Sequence, residues 1–274
     1  MKNEANTKTM EEIMRTYYDT VVGHSQGDAD LIGTRFESLD CYIRGLKNGE
    51  LMLVFGASAM GKTSFILQCA KNLSEKGKKS VLLFSPENPA CRVAERMIMA
   101  DSGIRQCDLY KGSLIDTEWL DLLSSCKALS ETGITVSDGS YLPFDRLAAT
   151  VEKEVRNKKA DIILIDSLDF LGYNENTDQK IRALKNIAFT YNVPVICSCK
   201  ISHRVKSENT YIRKAGEHAD VSIKLWRDLY KDNGRSKETY FLIKKNSKGS
   251  TGEIIMIFDL DRLIFKEQYE QEII

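Results

Sequence analysis

Short apolar runs alternate along most of this chain with longer segments in which apolar residues recur at helical spacing. This alternation favours a mostly parallel β-sheet that carries helices on both faces. The apolar runs predict strands at Leu51–Phe55, Ser80–Ser85, Ile134–Ser137, Asp161–Asp166 and Val193–Ser198. The helical patterns cover residues 63–75, 89–100, 116–129, 143–157 and 177–190.

The last third of the chain has a different pattern, in which short strands are separated by turn residues. Turn signals lie at Lys248-Gly249 and at residues 259–261. Successive strands joined by tight turns pair antiparallel, so we expect an antiparallel extension of the sheet. Its strands are predicted at Ala219–Leu225, Thr239–Lys245, Glu253–Asp259 and Arg262–Lys266.

The N-terminal segment reads as a unit apart from this pattern. Residues 1–7 are predicted to be disordered, residues 8–22 to form an amphipathic helix, and Gly23–Asp30 to be a polar connector. The helix either folds back on its own domain or docks on a neighbouring subunit, and its spacing does not separate the two. We expect a tail with a linker helix at 1–30 and one large domain at 31–274. The apolar positions of the helix are Met10, Ile13, Met14, Tyr17 and Val21.

Composition narrows the class of protein but not its function. The 274 residues are 42% hydrophobic and 28% charged, as in an ordinary globular protein. The formal net charge is +0, so contact with nucleic acid would depend on a local basic stripe. Seven cysteines without Cys-x-x-Cys spacing and three histidines do not predict a zinc site. A polar N-terminus and the lack of a membrane-spanning apolar run predict a cytoplasmic protein with reduced cysteines and no membrane partner.

Residues Gly56 to Thr63 spell a phosphate-binding loop between a predicted strand and a predicted helix. Gly56 and Gly61 allow the backbone to turn its N–H groups toward phosphate oxygens, and the helix N-terminus adds partial positive charge. Lys62 is placed to reach the outer phosphates, and the Thr63 hydroxyl is placed to hold Mg²⁺. We expect a nucleoside triphosphate with Mg²⁺, bound by Gly56, Ala57, Ser58, Ala59, Met60, Gly61, Lys62, Thr63 and Ser64.

Two carboxylates follow predicted strands and complete a candidate hydrolytic site. Asp166 ends the run 162–165, and an aspartate at the carboxyl end of a strand is placed to support the metal ion. Glu87 follows the run 81–84 and is a candidate to position water near the terminal phosphate. The alternative for Glu87 is a carboxylate favoured by the N-terminus of the following helix, and its spacing does not decide between these roles.

Several further blocks of sequence occur in a fixed order around these residues. They are Thr34–Asp40, Gly45–Leu51, Ser58–Thr63, Ser85–Pro89, Asp161–Leu171, Asn192–Ile196, Gly216–Asp220 and Lys244–Gly252. Together they resemble the ATPase domain of the replicative hexameric DNA helicases, the DnaB family, from Thr34 to about Phe265. Each block alone is a weak signal, whereas the ordered set is specific.

The resemblance implies a RecA-like fold and a ring of six identical subunits, with ATP between subunits and single-stranded DNA through the centre. It implies that Glu87 activates water and that Asp166 and Thr63 support Mg²⁺, in an enzyme that moves 5′ to 3′. A helicase loader or a primase is implied as a further partner. Residues 8–22 correspond to the family's linker helix, which packs on the next subunit. The family's usual N-terminal helical domain is not expected here.

Two residues depart from the family's pattern. The family's sensor glutamine corresponds to Lys200, a point charge instead of a planar amide. Lys245 keeps a lysine that would contact the neighbour's ATP, but Ser247 stands where the family has an arginine that reaches into that ATP. Because such an arginine contributes several powers of ten in rate, we expect slow or differently regulated turnover. Lys248, Lys244 and Lys200 are candidates to replace the arginine in part.

The basic segment Ser202–Lys214 lies where the family has its central DNA loop. Basic side chains spaced along a loop suit contact with DNA phosphates without sequence reading. The alternative is an ordinary solvated charged loop. The predicted DNA-binding residues are Arg204, Lys206, Arg213 and Lys214.

The leading expectation is therefore an ATP-driven DNA helicase or translocase. A second hypothesis is an ATP-binding oligomeric scaffold that binds DNA with weak hydrolysis and no productive unwinding, and Lys200 and Ser247 motivate it. A third is a recombinase or clock-type RecA relative, which would form filaments instead of closed rings.

Overall fold

The computed structural model describes residues 7, 9–25, 31–173, 175–201, 208–228 and 237–267. Within these residues, nine strands form a single sheet. The strands are β1 (Leu51–Gly56), β2 (Val81–Ser85), β3 (Ile134–Asp138), β4 (Ile162–Ile165), β5 (Val195–Lys200), β6 (Val221–Trp226), β7 (Glu238–Asn246), β8 (Gly252–Asp259) and β9 (Ile264–Glu267).

Helices lie between most of these strands and cover the sheet. None of the described helices is both long enough and apolar enough to cross a membrane. The helices are α1 (Met10–Ser25), α2 (Glu37–Ile43), α3 (Lys62–Glu75), α4 (Ala90–Ser102), α5 (Gln106–Lys111), α6 (Asp116–Ser130), α7 (Phe144–Arg156), α8 (Thr177–Tyr191) and α9 (Glu208–Ala215), with short 3-10 turns at Leu168–Phe170 and Gly216–His218.

The strand order is β3-β2-β4-β5-β1-β6-β7-β8-β9. The strands from β3 to β6 in this order are parallel, and β6 to β9 pair antiparallel. The carboxyl ends of β1, β2, β4 and β5 therefore meet at one edge of the sheet, where ligands bind in open α/β sheets. The predicted α/β architecture, with a mostly parallel sheet and an antiparallel extension, is confirmed.

The central strands β1, β2, β4 and β5 are buried on both faces, which explains why they read as continuous apolar runs. Met52 and Val54 of β1 face a core that includes residues of α2, α3 and α4. Leu51, Leu53 and Phe55 face the opposite core, which includes residues of α7, α8 and α9. All five side chains are fully buried, so β1 is held by packing on both sides.

A cluster of phenylalanines joins the antiparallel extension to α3. The Phe265 ring lies 4.5 Å from the Phe258 ring and 5.3 Å from the Phe241 ring, measured between centroids. Phe241 also meets Phe65 of α3 at 5.3 Å, and Phe65 stacks on Phe36 at 5.4 Å. Because α3 follows the phosphate loop, this aromatic cluster fixes β7–β9 directly beneath that loop.

Helix α1 begins at Met10 and ends at Ser25, so it extends three residues into the predicted connector. The rest of that connector lies outside the described residues. The side chains of Met10, Ile13, Met14 and Tyr17 are 68%, 40%, 50% and 60% exposed. These four apolar side chains of α1 are therefore not covered by the described part of the domain.

Helices α2, α5 and α9 lie where the sequence analysis predicted no helix. The start of α2 is capped by the carboxylate of Glu267, which accepts the N–H groups of Glu37 and Ser38 at 3.0 and 2.6 Å. A cap that comes from the opposite end of the domain leaves no local signal, which explains why α2 was missed.

The predicted basic loop 202–214 is a helix from Glu208 onward, which corrects that prediction. Ile212 is buried in the core, and Lys224 Nζ lies 2.6 Å from a Glu208 carboxylate oxygen. Tertiary packing thus stabilises α9 despite its polar sequence. Arg213 and Lys214 lie in its last turn and are exposed.

Strand β5 begins and ends two residues later than predicted. Pro194 precedes it and has no N–H group to donate to the ladder, so pairing starts at Val195, whose N–H donates to the Glu50 carbonyl at 2.9 Å. The strand then continues to Lys200, which pairs with Gly56. Lys200 is thereby placed level with the start of the phosphate loop.

All seven cysteines are free thiols, and Cys69, Cys197 and Cys199 are buried. Burial raises the pKa of Cys199 to about 12, so this thiol is protonated at neutral pH. The three buried cysteines therefore act as small apolar packing groups.

We predict that Phe241→Ala destabilises the fold by about 3–5 kcal/mol, because it empties the centre of the aromatic cluster. Urea denaturation followed by circular dichroism measures the effect. Phe189→Ala is the matched control, since Phe189 is 77% exposed on α8 and its loss should change stability by less than about 0.5 kcal/mol. Equal midpoints for the two variants would show that the cluster does not hold the extension in place.

Candidate nucleotide-binding and catalytic site

A cleft of ≈ 550 Å³ opens at the carboxyl edge of the parallel strands. The phosphate loop after β1 forms one wall, and residues that follow β2 and β4, the last residue of β5 and part of the antiparallel extension line the rest. The predicted residues that line the cleft are Ser58, Ala59, Gly61, Lys62, Thr63, Ser64, Glu87, Asp166 and Lys200. The structure thus brings most of the predicted set together, although the role of each residue stays a prediction.

The phosphate loop has the backbone that an anion cradle needs. Gly61 has φ +91°, and a Cβ placed there would lie 2.7 Å from the Phe265 ring. Ala59 also has a positive φ, at +66°. The loop ends where α3 begins at Lys62, so the free N–H groups of the first helical turn face the cleft. Position 61 therefore requires glycine for both its conformation and its space.

Lys62 lies inside the loop, with its Nζ 2.8 Å from the Ala57 carbonyl oxygen. Burial lowers the pKa of the Lys62 ammonium, and the nearby carboxylates of Asp166 and Asp169 oppose this shift. A partly desolvated ammonium interacts more strongly with an anion than a solvated one does. The position suits contact with the outer phosphates.

Asp166 follows β4 directly, and its side chain is only 3% exposed. The Ser198 hydroxyl of β5 donates to Asp166 Oδ1 at 2.6 Å, which fixes the orientation of the carboxylate. Asp166 and Thr63 line the same cleft, and a carboxylate with a hydroxyl is an oxygen donor pair that suits Mg²⁺. Among the described residues there is no group of three or more His, Cys, Asp or Glu that could hold a metal ion. The pair fits Mg²⁺ in the way that nucleotide sites bind it, since phosphate oxygens supply further ligands.

Glu87 lies in the turn between β2 and α4, three residues before the helix begins. Glu87 is exposed at the edge of the cleft. Partial burial of its carboxyl raises the pKa, and the negative charge of Asp166 raises it further, against the attraction of Lys62. A carboxylate with a raised pKa is a stronger base, which suits a group that positions or deprotonates water.

Asp169 is a third carboxylate in the cleft, and it was not among the predicted site residues. Its Oδ2 accepts hydrogen bonds from the Ser167 hydroxyl at 3.1 Å and from the Lys200 N–H at 3.0 Å. The residue therefore connects the turn after β4 to the end of β5. Its place in the strand-end turn three residues after Asp166 was the available signal.

Two arginines near the loop were also missed. Arg96 of α4 lines the cleft beside Leu263. Arg227 follows β6 and is 3% exposed, with its Nη2 2.6 Å from the Ala59 carbonyl oxygen and its guanidinium 5.0 Å from the centre of the Phe258 ring. Its Nε and Nη1 have no hydrogen-bond partner within the described part of the chain. An arginine directly after an apolar strand was the only sequence signal for it.

Lys245 and Ser247 lie away from the cleft of their own chain. Lys245 Nζ donates to the carbonyls of Gly216 and Glu217 at 3.2 and 2.8 Å. The Ser247 hydroxyl donates to the Asp220 carbonyl at 2.9 Å. Both side chains therefore hold the β7–β8 turn region against residues 216–220.

The predicted DNA-binding residues fall into two pairs. Arg204 and Lys206 lie outside the described residues. Arg213 and Lys214 are exposed on α9, which follows the segment after β5. In the chain, these two cations therefore come after β5, the strand whose last residue, Lys200, lines the cleft.

The family described as "DnaB-like helicase C terminal domain" matches residues 32–267, which is most of the chain. The chain belongs to this family. The resemblance inferred from the ordered sequence blocks is thereby confirmed.

A curated member of the DnaB family shows the extent of the likeness. The "Replicative DNA helicase DnaC" of Bacillus subtilis (strain 168) is 27% identical over 278 residues, which cover 94% of this chain and 61% of the relative. The chain thus spans about three-fifths of the length of that curated relative.

Two solved structures share the fold. One, described as an ATPase domain, has a TM-score of 0.84 and 23% identity, and covers 96% of this chain and 99% of that one. A DnaB-like replicative helicase described with its interactions with primase has a TM-score of 0.79 and 22% identity, and covers 97% of this chain and 68% of that one. At this identity the two structures establish the RecA-like ATPase fold and no more.

We predict that Glu87→Gln stabilises the folded chain at neutral pH. A raised pKa means that the folded state binds the Glu87 proton more tightly than the unfolded state, so ionisation of Glu87 lowers stability. The amide removes this effect, and the gain should shrink as the pH falls below the Glu87 pKa, where the native carboxyl is neutral too.

Urea midpoints across pH 4 to 8 for the native chain and Glu87→Gln measure the difference. Glu131→Gln, at an exposed carboxylate after α6, is the control. A gain that stays constant over the whole range would contradict the electrostatic explanation.

Proposed function

We propose that this chain is the ATP-hydrolysing motor of a DnaB-family DNA helicase, which moves along single-stranded DNA as a ring of identical subunits. One observation carries the proposal. A phosphate loop, a strand-end aspartate and a base-like glutamate line a single cleft in a chain of this family.

The cleft is suited to hold the triphosphate of ATP. The N–H groups of the loop and of the first turn of α3 face inward, and Lys62 supplies a partly desolvated cation. Thr63 and Asp166 would hold Mg²⁺, which supplies charge neutralisation to the phosphates when it is bound. Gly56 to Ser64 thus form the nucleotide-binding segment in this proposal.

Glu87 acts on the attacking water. Its raised pKa makes it a better acceptor of a proton than an ordinary carboxylate, and its place at the end of β2 aims it into the cleft. In an assembled ring, Lys245 of one subunit would act on ATP of the next, after release from the Gly216 and Glu217 carbonyls. Lys200 completes the catalytic set from the end of β5.

Single-stranded DNA is the proposed track, contacted by Arg204, Lys206, Arg213 and Lys214. Cations on a segment that follows β5 would couple DNA contact to the strand whose end faces the nucleotide. The proposal extends to three further properties: movement 5′ to 3′, a role in replication, and contact with a primase or a helicase loader. Their support is that the relatives are described as replicative helicases, one of them with primase.

A second copy of the chain is the proposed partner of α1, within the linker unit at residues 1–30. α1 exposes a row of large apolar side chains, and α6 exposes Trp119, Leu120 and Leu123 by 49%, 66% and 62%. Apolar surfaces of this kind on one chain favour mutual burial between copies. Docking of α1 on α6 of the neighbour would close the ring, for which we propose six subunits.

The scaffold hypothesis stays as the second candidate because of one observation. Ser247 offers only a hydroxyl, and that group is bonded to Asp220 of its own chain. A site that lacked any further cation would bind ATP and hydrolyse it slowly. Rates of hydrolysis and strand separation distinguish this candidate from the motor.

We predict that the native chain hydrolyses ATP and that DNA stimulates this hydrolysis. Two single substitutions should abolish it, each at a different step. Lys62→Ala should lose both ATP binding and turnover, because the phosphate contact is removed. Glu87→Gln should keep ATP binding but lose about 100-fold or more in kcat, because the amide cannot accept a proton. Phosphate release and nucleotide-binding fluorescence measure the two quantities.

Lys153→Ala, which removes an exposed lysine of α7, is the control for charge loss. A native chain that hydrolyses no ATP, or variants that match it in turnover, would reject the motor. Native turnover without strand separation on a forked substrate would favour the scaffold.

We also predict that Leu120→Glu combined with Leu123→Glu prevents assembly, because charges replace the apolar surface that α1 of the neighbour would cover. Tyr17→Glu on α1 should have the same effect from the other side. Sedimentation velocity with an ATP analogue measures the oligomer, and Phe189→Glu on the exposed face of α8 is the control. Native-size oligomers for the α6 variant would contradict this docking.

A further inference from the structure

Fast hydrolysis of ATP depends on a positive charge beside the phosphoryl group as it is transferred. Negative charge is spread over the three equatorial oxygens in the transition state, and a cation placed there in cis or in trans contributes about 10³ to 10⁵ in rate. Which side chain supplies that cation is the question here, and any answer rests on the proposed ATP hydrolysis.

Two of the three lysines of the β7–β8 region, Lys245 and Lys248, are already engaged within their own chain, and the third, Lys244, is exposed but does not line the cleft. Lys248 Nζ is bonded to the Gly45 carbonyl and to the Glu50 carboxylate. Lys245 Nζ is bonded to two backbone carbonyls, as described above. Each would have to give up these contacts before it could reach a phosphate.

The Lys200 ammonium has no comparable hydrogen bond among the described residues. Its side chain is exposed in the cleft, and it forms no ion pair within the described residues. The positive charge of Lys200 acts on the Glu87 carboxyl, where it opposes the rise in pKa caused by burial and Asp166. Its ammonium is therefore near the group that positions water.

The backbone holds Lys200 at the level of the phosphate loop. Its Cα pairs with Gly56, the last residue of β1, in the parallel ladder. Its N–H donates to Asp169 Oδ2 at 3.0 Å, so the end of β5 is fixed to the turn that follows Asp166. Lys200 thus stands at a fixed strand end and lines the same cleft as Lys62 and Glu87.

We propose that Lys200 is a catalytic residue that supplies, in cis, the cation for the transferring phosphoryl group. Water adds to the terminal phosphorus, and the bond from that phosphorus to the bridging oxygen breaks. ADP leaves with the bonding electron pair. Glu87 takes a proton from the water and returns it to the phosphate product, while the Lys200 ammonium keeps its proton and stabilises the equatorial oxygens.

The first test separates chemistry from binding. Lys200→Ala should lower kcat by about 100-fold or more and leave ATP affinity within about threefold, because the charge acts on the transition state. Lys200→Arg should stay within about tenfold of the native kcat. Tight binding of ADP with aluminium fluoride, a mimic of the transferring phosphoryl group, should be lost in Lys200→Ala and kept in Lys153→Ala.

The second test asks whether the charge acts within one chain. Equimolar mixtures of Lys62→Ala and Lys200→Ala chains should hydrolyse ATP no faster than the sum of the separate variants. If Lys200 acted in trans, a Lys200→Ala site next to a Lys62→Ala chain would be complete, and the mixture would recover activity.

Recovery in the mixture would overturn the assignment in cis. A Lys200→Ala chain that turns over ATP at the native rate would overturn the catalytic role while the proposed function stood. A native chain without ATP hydrolysis would remove both. Retained binding of ADP with aluminium fluoride in Lys200→Ala would also contradict the role, even if turnover fell.

Discussion

Parallel pairing of β1 with β5 on one side and β6 on the other fixes where the phosphate loop starts and where Lys200 stands beside it. A slip of one residue would exchange the two faces of β1 and send its core residues to the wrong side of the sheet. Asp220 secures the register at the start of the strand, where its carboxylate accepts the Leu51 N–H at 2.8 Å and the Lys185 ammonium at 2.7 Å. At the other end the same register places Gly56 beside Lys200. Strand pairing thus sets the position of the start of the phosphate loop relative to Lys200.

The cleft places charged side chains close together where they are partly removed from water. Burial lowers the pKa of Lys62 and raises that of Glu87, so both groups are less stable in their charged forms than they would be in water. Attraction between opposite charges offsets only part of this cost. The two-faced core of β1 and the aromatic cluster around Phe241 supply the compensating stability. A site that lowers stability in return for reactivity is the usual arrangement in enzymes.

The sequence predicts this protein best where the signal is local. Strands buried on both faces give uninterrupted apolar runs, and the phosphate loop needs glycine for its backbone, so both could be placed from the residues alone. Glu87 and Asp166 followed from their places after strands. What was missed depends on partners distant in the chain. The N-terminus of α2 is capped by Glu267, and α9 depends on the burial of Ile212 under a polar exterior.

Arg227 shows how such a distant contact completes the phosphate loop. Ala59 holds a positive φ that is unfavourable for a residue with a Cβ, at a cost of about 1 kcal/mol or more. The hydrogen bond from the Arg227 guanidinium to the Ala59 carbonyl fixes that peptide in place. Within the described residues no carboxylate forms an ion pair with Arg227, and the Phe258 ring covers one face of its guanidinium. Among those residues its charge has no ionic partner, and because the guanidinium is buried beside the loop it adds to the positive field there. A residue selected by no local pattern thus both shapes the cradle and strengthens its attraction for an anion.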